Sequence, residues 1–384
     1  MIKSKLRVCV VTGTRADYGI YVPLLKELKN NPNFELGVLV TGMHLSQNYG
    51  NTWKEILVDG YPIIEKVDIL LQGSSHANMS KSVGLGILGM TSTFERYKPD
   101  LIFVLGDRGE MLSAAISASH LNIPVAHLHG GEVSGSIDES VRHAITKLSH
   151  IHFPSTKASA DRIIKLGERE EYVFPVGALR IDTILNAQLP NFKEIKEKYQ
   201  LSLKQDYYLM VFHPVTTDLV PLSEQVENVL QALLEKGRDI ICILPNSDAG
   251  TEEITRVYSQ YEKEERITYI KNFHQLDYLS VLDNCFAIVG NSSSGILEAA
   301  SFQKAVVNIG SRQTGREHST NVLDVPPNKD EIKTTLDMIE QEEFKASLKE
   351  IKNIYGDGNA TSRIISILGE MNFDNELIGK KITY

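Results

Sequence analysis

Short, continuous apolar runs alternate along this chain with longer amphipathic stretches. The first run is Arg7-Val8-Cys9-Val10-Val11-Thr12-Gly13, followed by Phe34 to Thr41, Leu101 to Gly106 and Pro124 to His129. Runs of this length, without strict alternation and bounded by Gly, Pro or Asp, predict parallel strands buried on both faces. Helices predicted over Tyr18 to Asn30 and Ala77 to Tyr97 complete βαβ units, and right-handed crossovers of that kind build a doubly wound sheet.

A second series predicts strands at Tyr207 to Phe212, Asp239 to Leu244, Ile267 to Ile270, Phe286 to Val289 and Ala305 to Ile309. Helices are predicted between them, over Leu219–Lys236, Ala249–Tyr261, Gln275–Asn284 and Gly295–Phe302. Leu189-Pro190-Asn191-Phe192 and the charged stretch Lys193 to Lys198 read as the connection. The expectation is an α/β chain of two Rossmann-like doubly wound domains facing across a cleft, the GT-B type. Residues 1–188 form the first domain and 189–358 the second. Residues 359–384 form a C-terminal segment whose helix, about Ala360 to Met371, packs back across the domains and ends in a polar, uninformative tail.

Composition narrows the class. The 384 residues suffice for two hydrophobic cores. A net charge of −9 argues against bulk attraction to nucleic acid or an anionic membrane. Cys9, Cys242 and Cys285 lie in apolar runs with no paired spacing, as core residues in a reducing compartment would. The N-terminus leads straight into a strand, and no run of about twenty apolar residues follows, so a cytoplasmic enzyme is expected.

Candidate chemistry gathers where the predicted strands end. The first ends in Gly13-Thr14-Arg15-Ala16-Asp17-Tyr18-Gly19, with one early Gly and then a cation in place of Gly-x-Gly-x-x-Gly. Arg15 and the helix N-terminus can face one anion; the alternative is an ordinary turn with an exposed Arg. Gly106-Asp107-Arg108 follows a later strand, where Asp107 either caps a helix or meets a ligand. The next strand delivers His127, His129 and Glu132, and Asp138 with Arg142 opens the helix after it. His-x-His invites a metal, but no third ligand follows at a telling spacing, and none is expected.

The second half offers His213, Asn246 and then Gly290-Asn291-Ser292-Ser293-Ser294-Gly295 at strand ends, where free N–H groups and hydroxyls suit a diphosphate. Glu298 would repel phosphate and fits the vicinal hydroxyls of a ribose better. Arg312 and Arg316 add cations after the last of these strands.

Seven segments, 13–19, 106–108, 129–135, 138–150, 213–218, 290–295 and 308–316, together resemble the hydrolysing UDP-N-acetylglucosamine 2-epimerases of sialic acid synthesis, over about Arg7 to Ile367. The resemblance implies that UDP-N-acetylglucosamine and water give N-acetylmannosamine and UDP, with no bound cofactor, in a homodimer or homotetramer. It makes Asp107, Glu132 and Asp138 the acid/base candidates, with Arg108 and His129 beside them. Arg15, Asp17, His213, Asn246, Ser292, Ser293, Glu298 and Arg312 become the UDP-binding set. In the non-hydrolysing relatives a catalytic Glu stands where this chain has His129, and their first motif continues Pro-Glu where this chain has Ala16-Asp17. Both departures point to the hydrolysing branch.

The implied path loses UDP and the C2 proton to give 2-acetamidoglucal, which water then rehydrates from the other face. Clustered carboxylates stabilise the cationic centre and can split into acid and base. A close alternative is the same reaction on a UDP-2,4-diacetamido-2,4,6-trideoxy sugar for legionaminic acid synthesis. A more distant one is a GT-B glycosyltransferase, against which the acid cluster argues.

Overall fold

Among the residues described by the computed structural model (5–71, 76–133, 137–215, 220–245 and 250–383), twelve strands form two six-stranded sheets, all parallel. The first sheet holds β1 (Leu6–Thr12), β2 (Phe34–Thr41), β3 (Ile63–Val67), β4 (Leu101–Leu105), β5 (Val125–Leu128) and β6 (Ile151–Phe153), in the order β3-β2-β1-β4-β5-β6. The second holds β7 (Tyr207–Val211), β8 (Asp239–Ile243), β9 (Ile267–Ile270), β10 (Ala287–Gly290), β11 (Ala305–Ile309) and β12 (Val322–Val325), in the order β12-β11-β10-β7-β8-β9. Each series therefore winds outward from its first strand in one direction and then resumes on that strand's other side. The switch points lie between β1 and β4 and between β7 and β10, and open α/β sheets bind ligands outside the carboxyl ends of such pairs.

The chain divides into two units, Met1–Thr183 with Tyr355–Tyr384, and Ile184–Ile354. In the first, Val8 and Val10 of β1 point into one core and Cys9 and Val11 into another, all fully buried. A strand covered on both faces has no polar side to show, which is why its sequence is apolar throughout. Helix Arg15–Asn30 contributes Tyr21, Leu24, Leu25 and Leu28 to one face, joined by Ile364 and Leu368 of helix Ala360–Glu370. Helices His76–Tyr97, Gly109–His120 and Ile137–Leu148 cover the other with Met90, Met111, Ala114 and Ile145. Each fully buried Leu or Ile stabilises by about 1.5–3 kcal/mol relative to exposure. The second unit repeats the scheme around Tyr208, Met210, Ile240, Val289 and Val307. The three cysteines are buried and unpaired.

Three strands carry no run strong enough to be predicted: β3, β6 and β12. All three are sheet edges. Ile-Ile-Glu-Lys-Val and Val-Leu-Asp-Val are polar where they meet solvent, and β6 is only three residues long, as edges are when pairing with other chains is disfavoured. The charged stretch expected as connection is helix Phe192–Lys198, N-capped by Asn191, with Ile195 buried and Phe192 stacked on Tyr207 at 5.6 Å. The tail after Met371, read as uninformative, holds a further short helix, Asn375–Ile378, with Leu377 in the core.

Candidate active site

The turn after β1 is ordered from within. Thr14 caps helix Arg15–Asn30 by accepting the Asp17 N–H at 3.2 Å. The Asp17 carboxylate in return accepts the N–H of Gly13 and of Thr14, each at 3.0 Å, and the Thr12 hydroxyl at 2.6 Å. This is a capping box. Asp17 is buried, and burial raises its pKa against those hydrogen bonds. Its carboxylate orders the turn, which departs from its expected place among ligand contacts. Because Thr12 donates to Asp17, it accepts from His44 Nε2 at 3.0 Å, leaving His44 Nδ1 to accept from Thr52 at 2.6 Å. His44 is thus neutral, and burial lowers its pKa to about 4. Arg15 is exposed and pairs with Glu55 at 3.1 Å.

At the end of β4, Gly106 turns with φ +71 and presents Asp107. Arg108 follows as the extended N-cap of helix Gly109–His120, ion-paired to buried Glu110 at 3.1 Å. At the end of β5, His129 holds a left-handed φ of +59, an uncommon conformation for a residue with a Cβ. Gly131, also left-handed, cannot be replaced: a Cβ there would lie 2.3 Å from the Ser159 carbonyl oxygen.

Arg142 joins these two strand ends. It reaches out from helix Ile137–Leu148, buried, with one guanidinium nitrogen on the Asp107 carboxylate and another donating to the Glu132 carbonyl at 2.8 Å. The Glu132 carboxylate accepts the Ser155 hydroxyl at 2.9 Å and lies 3.5 Å from His129 Nδ1. Burial lowers the His129 pKa while Glu132 pulls it back, and His129 Nε2 is buried without a hydrogen-bond partner among the described residues. Asp138 is exposed in the first turn of its helix, whereas Glu139 is half-buried, 3.6 Å from His143 Nε2. Behind these groups His127, neutral with a pKa pushed by burial to about 3, bonds through Nε2 to the Gly106 carbonyl at 2.8 Å.

In the second unit Asn291 is the hub. It follows Gly290, where φ is +139 and a Cβ would sit 2.1 Å from the Val211 carbonyl. The Asn291 side chain accepts the His213 N–H at 2.7 Å and donates to the His213 carbonyl at 2.8 Å. Its own carbonyl accepts from Arg312 at 3.0 Å and Gln313 at 2.9 Å. The ends of β7, β10 and β11 are thereby tied together around the switch point. Ser292 caps the five-residue helix Ser293–Leu297 by accepting the Ser294 N–H at 3.3 Å. A relay then runs from the Tyr278 hydroxyl to Ser294 and on to Glu298, each step 2.6 Å. Glu298 is buried and joined to that relay.

The structure therefore gathers Asp107, Arg108, His129 and Glu132 at the adjoining ends of β4 and β5, and His213, Ser292, Ser293, Glu298 and Arg312 at the ends of β7, β10 and β11. Asn246 lies outside the described residues. Glu110, His44, Ser155, Tyr278 and the clamping role of Asn291 were not anticipated; only the motif around Asn291 marked its segment as special. Among the described residues no group of three His, Cys, Asp or Glu side chains is arranged to hold a metal ion, and no helix is long and apolar enough to cross a membrane.

Comparison with known proteins gives this geometry its context. The family described as UDP-N-acetylglucosamine 2-epimerase matches residues 26–369. The chain belongs to the UDP-N-acetylglucosamine 2-epimerase family. It is 42% identical over 378 residues to the UDP-N,N'-diacetylbacillosamine 2-epimerase (hydrolyzing) of Legionella pneumophila, covering 98% of this chain and 99% of that protein. The polysialic acid biosynthesis protein P7 of Escherichia coli is 37% identical over 365 residues, covering 94% and 93%. The crystal structure of UDP-GlcNAc 2-epimerase from Neisseria meningitidis bound to UDP-GlcNAc matches with a TM-score of 0.77 at 18% identity, covering 95% and 100%. That likeness establishes the fold as GT-B-like. Within the UDP-N-acetylglucosamine 2-epimerase family, this chain is a hydrolysing 2-epimerase of a UDP-sugar.

Proposed function

We propose that the substrate is UDP-N,N'-diacetylbacillosamine, a UDP-2,4-diacetamido-2,4,6-trideoxyglucose, and that the products are UDP and the corresponding 2,4-diacetamido-2,4,6-trideoxymannose. The observation that carries this reading is identity of 42% along the full length of the Legionella pneumophila enzyme named for that substrate. The motifs by themselves place UDP-N-acetylglucosamine first; the full-length relationship reverses the order. UDP-N-acetylglucosamine remains the second reading, favoured by the match of residues 26–369 to the UDP-N-acetylglucosamine 2-epimerase family.

In this reading the ends of β7, β10 and β11 bind UDP. Arg312 and His213 serve the diphosphate, with Ser292 and Ser293, and Glu298 takes the ribose hydroxyls. The ends of β4 and β5 carry the proton transfers. The C1–O bond breaks, its electron pair leaving on UDP, and a base removes the C2 proton to form the C1–C2 double bond. Water then adds hydroxide to C1 while C2 receives a proton on its opposite face. Asp107, Glu132 and Asp138 are the acids for these steps, with His129 beside Glu132. Arg142, fixed by the Glu132 carbonyl, keeps Asp107 in place.

Turnover in deuterium oxide followed by proton NMR tests the reading. The expected product carries deuterium at C2 with the manno configuration, alongside one equivalent of UDP. UDP release with C2 protium retained, or with the gluco configuration kept, would show simple hydrolysis and overturn it.

A further inference from the structure

The last carbonyls of a helix need partners from outside it. Helix Ile137–Leu148, which carries Arg142, finds one in Lys380, near the end of the chain. The Lys380 ammonium donates to the carbonyls of Lys147 and Ser149, each at 2.6 Å, and lies 3.4 Å from that of Thr146. Its third proton goes to Glu168, 2.6 Å away. Glu168 is itself buried and also takes Lys147 at 2.5 Å and His152 at 3.1 Å. Burial raises the Glu168 pKa, but the bonds from His152, Lys147 and Lys380 bring it down to about 2.

The segment bearing Lys380 is fastened on both sides. Leu377 sits in the first core, and Thr383 bonds through its N–H to the Gly167 carbonyl at 3.1 Å and through its hydroxyl to that of Glu168 at 3.2 Å. From the capped turn a chain of contacts leads to the candidate site. The Thr146 hydroxyl lies 3.1 Å from the Arg142 carbonyl and 3.1 Å from His127 Nδ1. His127 bonds the carbonyl of Gly106, the residue before Asp107, and Arg142 holds Asp107 itself.

We propose that Lys380 is a positioning residue: the C-terminal tail caps helix Ile137–Leu148 and, with Glu168, fixes the Arg142–Asp107 pair for catalysis. This rests on the reading of Asp107 as part of the catalytic site. A charge-assisted cap of this kind is roughly twice as strong as a neutral one, so its loss loosens the helix without unfolding a unit that has two cores.

The experiment compares Lys380→Met, Lys380→Arg and, as control, the exposed neighbour Lys381→Ala. Expected for Lys380→Met is a fall in kcat of about tenfold or more, with KM and calorimetric UDP affinity within twofold of wild type, since UDP is assigned to the second unit. Lys380→Arg restores most of the rate and Lys381→Ala matches wild type. An unchanged kcat for Lys380→Met overturns the proposal, and so does an equal loss of kcat and UDP affinity, which marks general damage. If Lys380→Met does not fold, Glu168→Gln is read in its place: a fall in kcat with UDP affinity kept supports the proposal, and an unchanged kcat overturns it. A wild type that turns over neither sugar nucleotide counts against the functional reading alone. The cap is then judged by hydrogen exchange: faster exchange in residues 143–150 of Lys380→Met supports it, and unchanged protection there overturns it.

Discussion

Asp107 and Glu132 are held in different ways. Asp107 is one half of an ion pair with Arg142, whereas Glu132 receives a hydroxyl from Ser155 and faces an imidazole. Asp107→Asn, Glu132→Gln and Asp138→Asn are each expected to cut turnover by at least about a hundredfold while sparing UDP affinity, because the amides keep size but lose the proton-accepting charge. Glu139→Gln, beside His143, is expected to be mild; a dead Glu139→Gln with an active Asp138→Asn would move the register of that helix by one. In the second unit, Arg312→Ala is expected to weaken UDP by about 1.5–3 kcal/mol, the value of one charge-assisted hydrogen bond, and unchanged calorimetric affinity would contradict it. The sequence displays these residues because Asp, Arg and Ser after an apolar strand have no packing reason to be there. It does not display the role of Asp17, since a ligand-facing carboxylate and a capping-box carboxylate read alike until the Gly13 and Thr14 N–H groups are seen pointing at it.

Elements of the first unit are stitched together by buried neutral imidazoles. His44 joins the turn after β2 to β1, His127 joins β5 to the turn after β4, and His150 accepts the Val125 N–H at 3.2 Å. Burial lowers their pKa values to about 4, about 3 and about 4. The unfolded chain takes up these protons from about pH 6.5 downwards, while the folded protein resists until its own lower values. The stability they contribute is therefore complete above pH 6.5 and lost as the pH falls towards about 4 for His44 and His150 and about 3 for His127, at about 1.4 kcal/mol per pH unit for each histidine. Urea unfolding midpoints are expected to fall between pH 7 and pH 5, and a flat profile over that interval would contradict the assignment. At this scale the sequence announces central strands, apolar throughout because they have no wet face, and the helices that cover them, amphipathic because one face packs on the sheet and the other meets solvent. It is silent about β3, β6 and β12, whose edge positions dilute the same signal, and about Lys380, whose partner carbonyls lie more than two hundred residues earlier.

For the whole molecule, the order of strands and motifs was readable because a doubly wound sheet places every functional loop at a strand's carboxyl end, so the motifs recur at each βα junction. The substrate was not readable in the same way. A 4-acetamido group and a C6 methyl are recognised by a few side chains that leave no periodic trace, and proteins similar to this chain are named for different sugar nucleotides. The proposed substrate, UDP-N,N'-diacetylbacillosamine, is tested by measuring kcat/KM for UDP release from that nucleotide and from UDP-N-acetylglucosamine under identical conditions. The expected result is a preference of at least about a hundredfold for the diacetamido sugar, since a site built to hydrogen-bond a polar substituent penalises its absence strongly. A ratio near one, or a preference for UDP-N-acetylglucosamine, would contradict it.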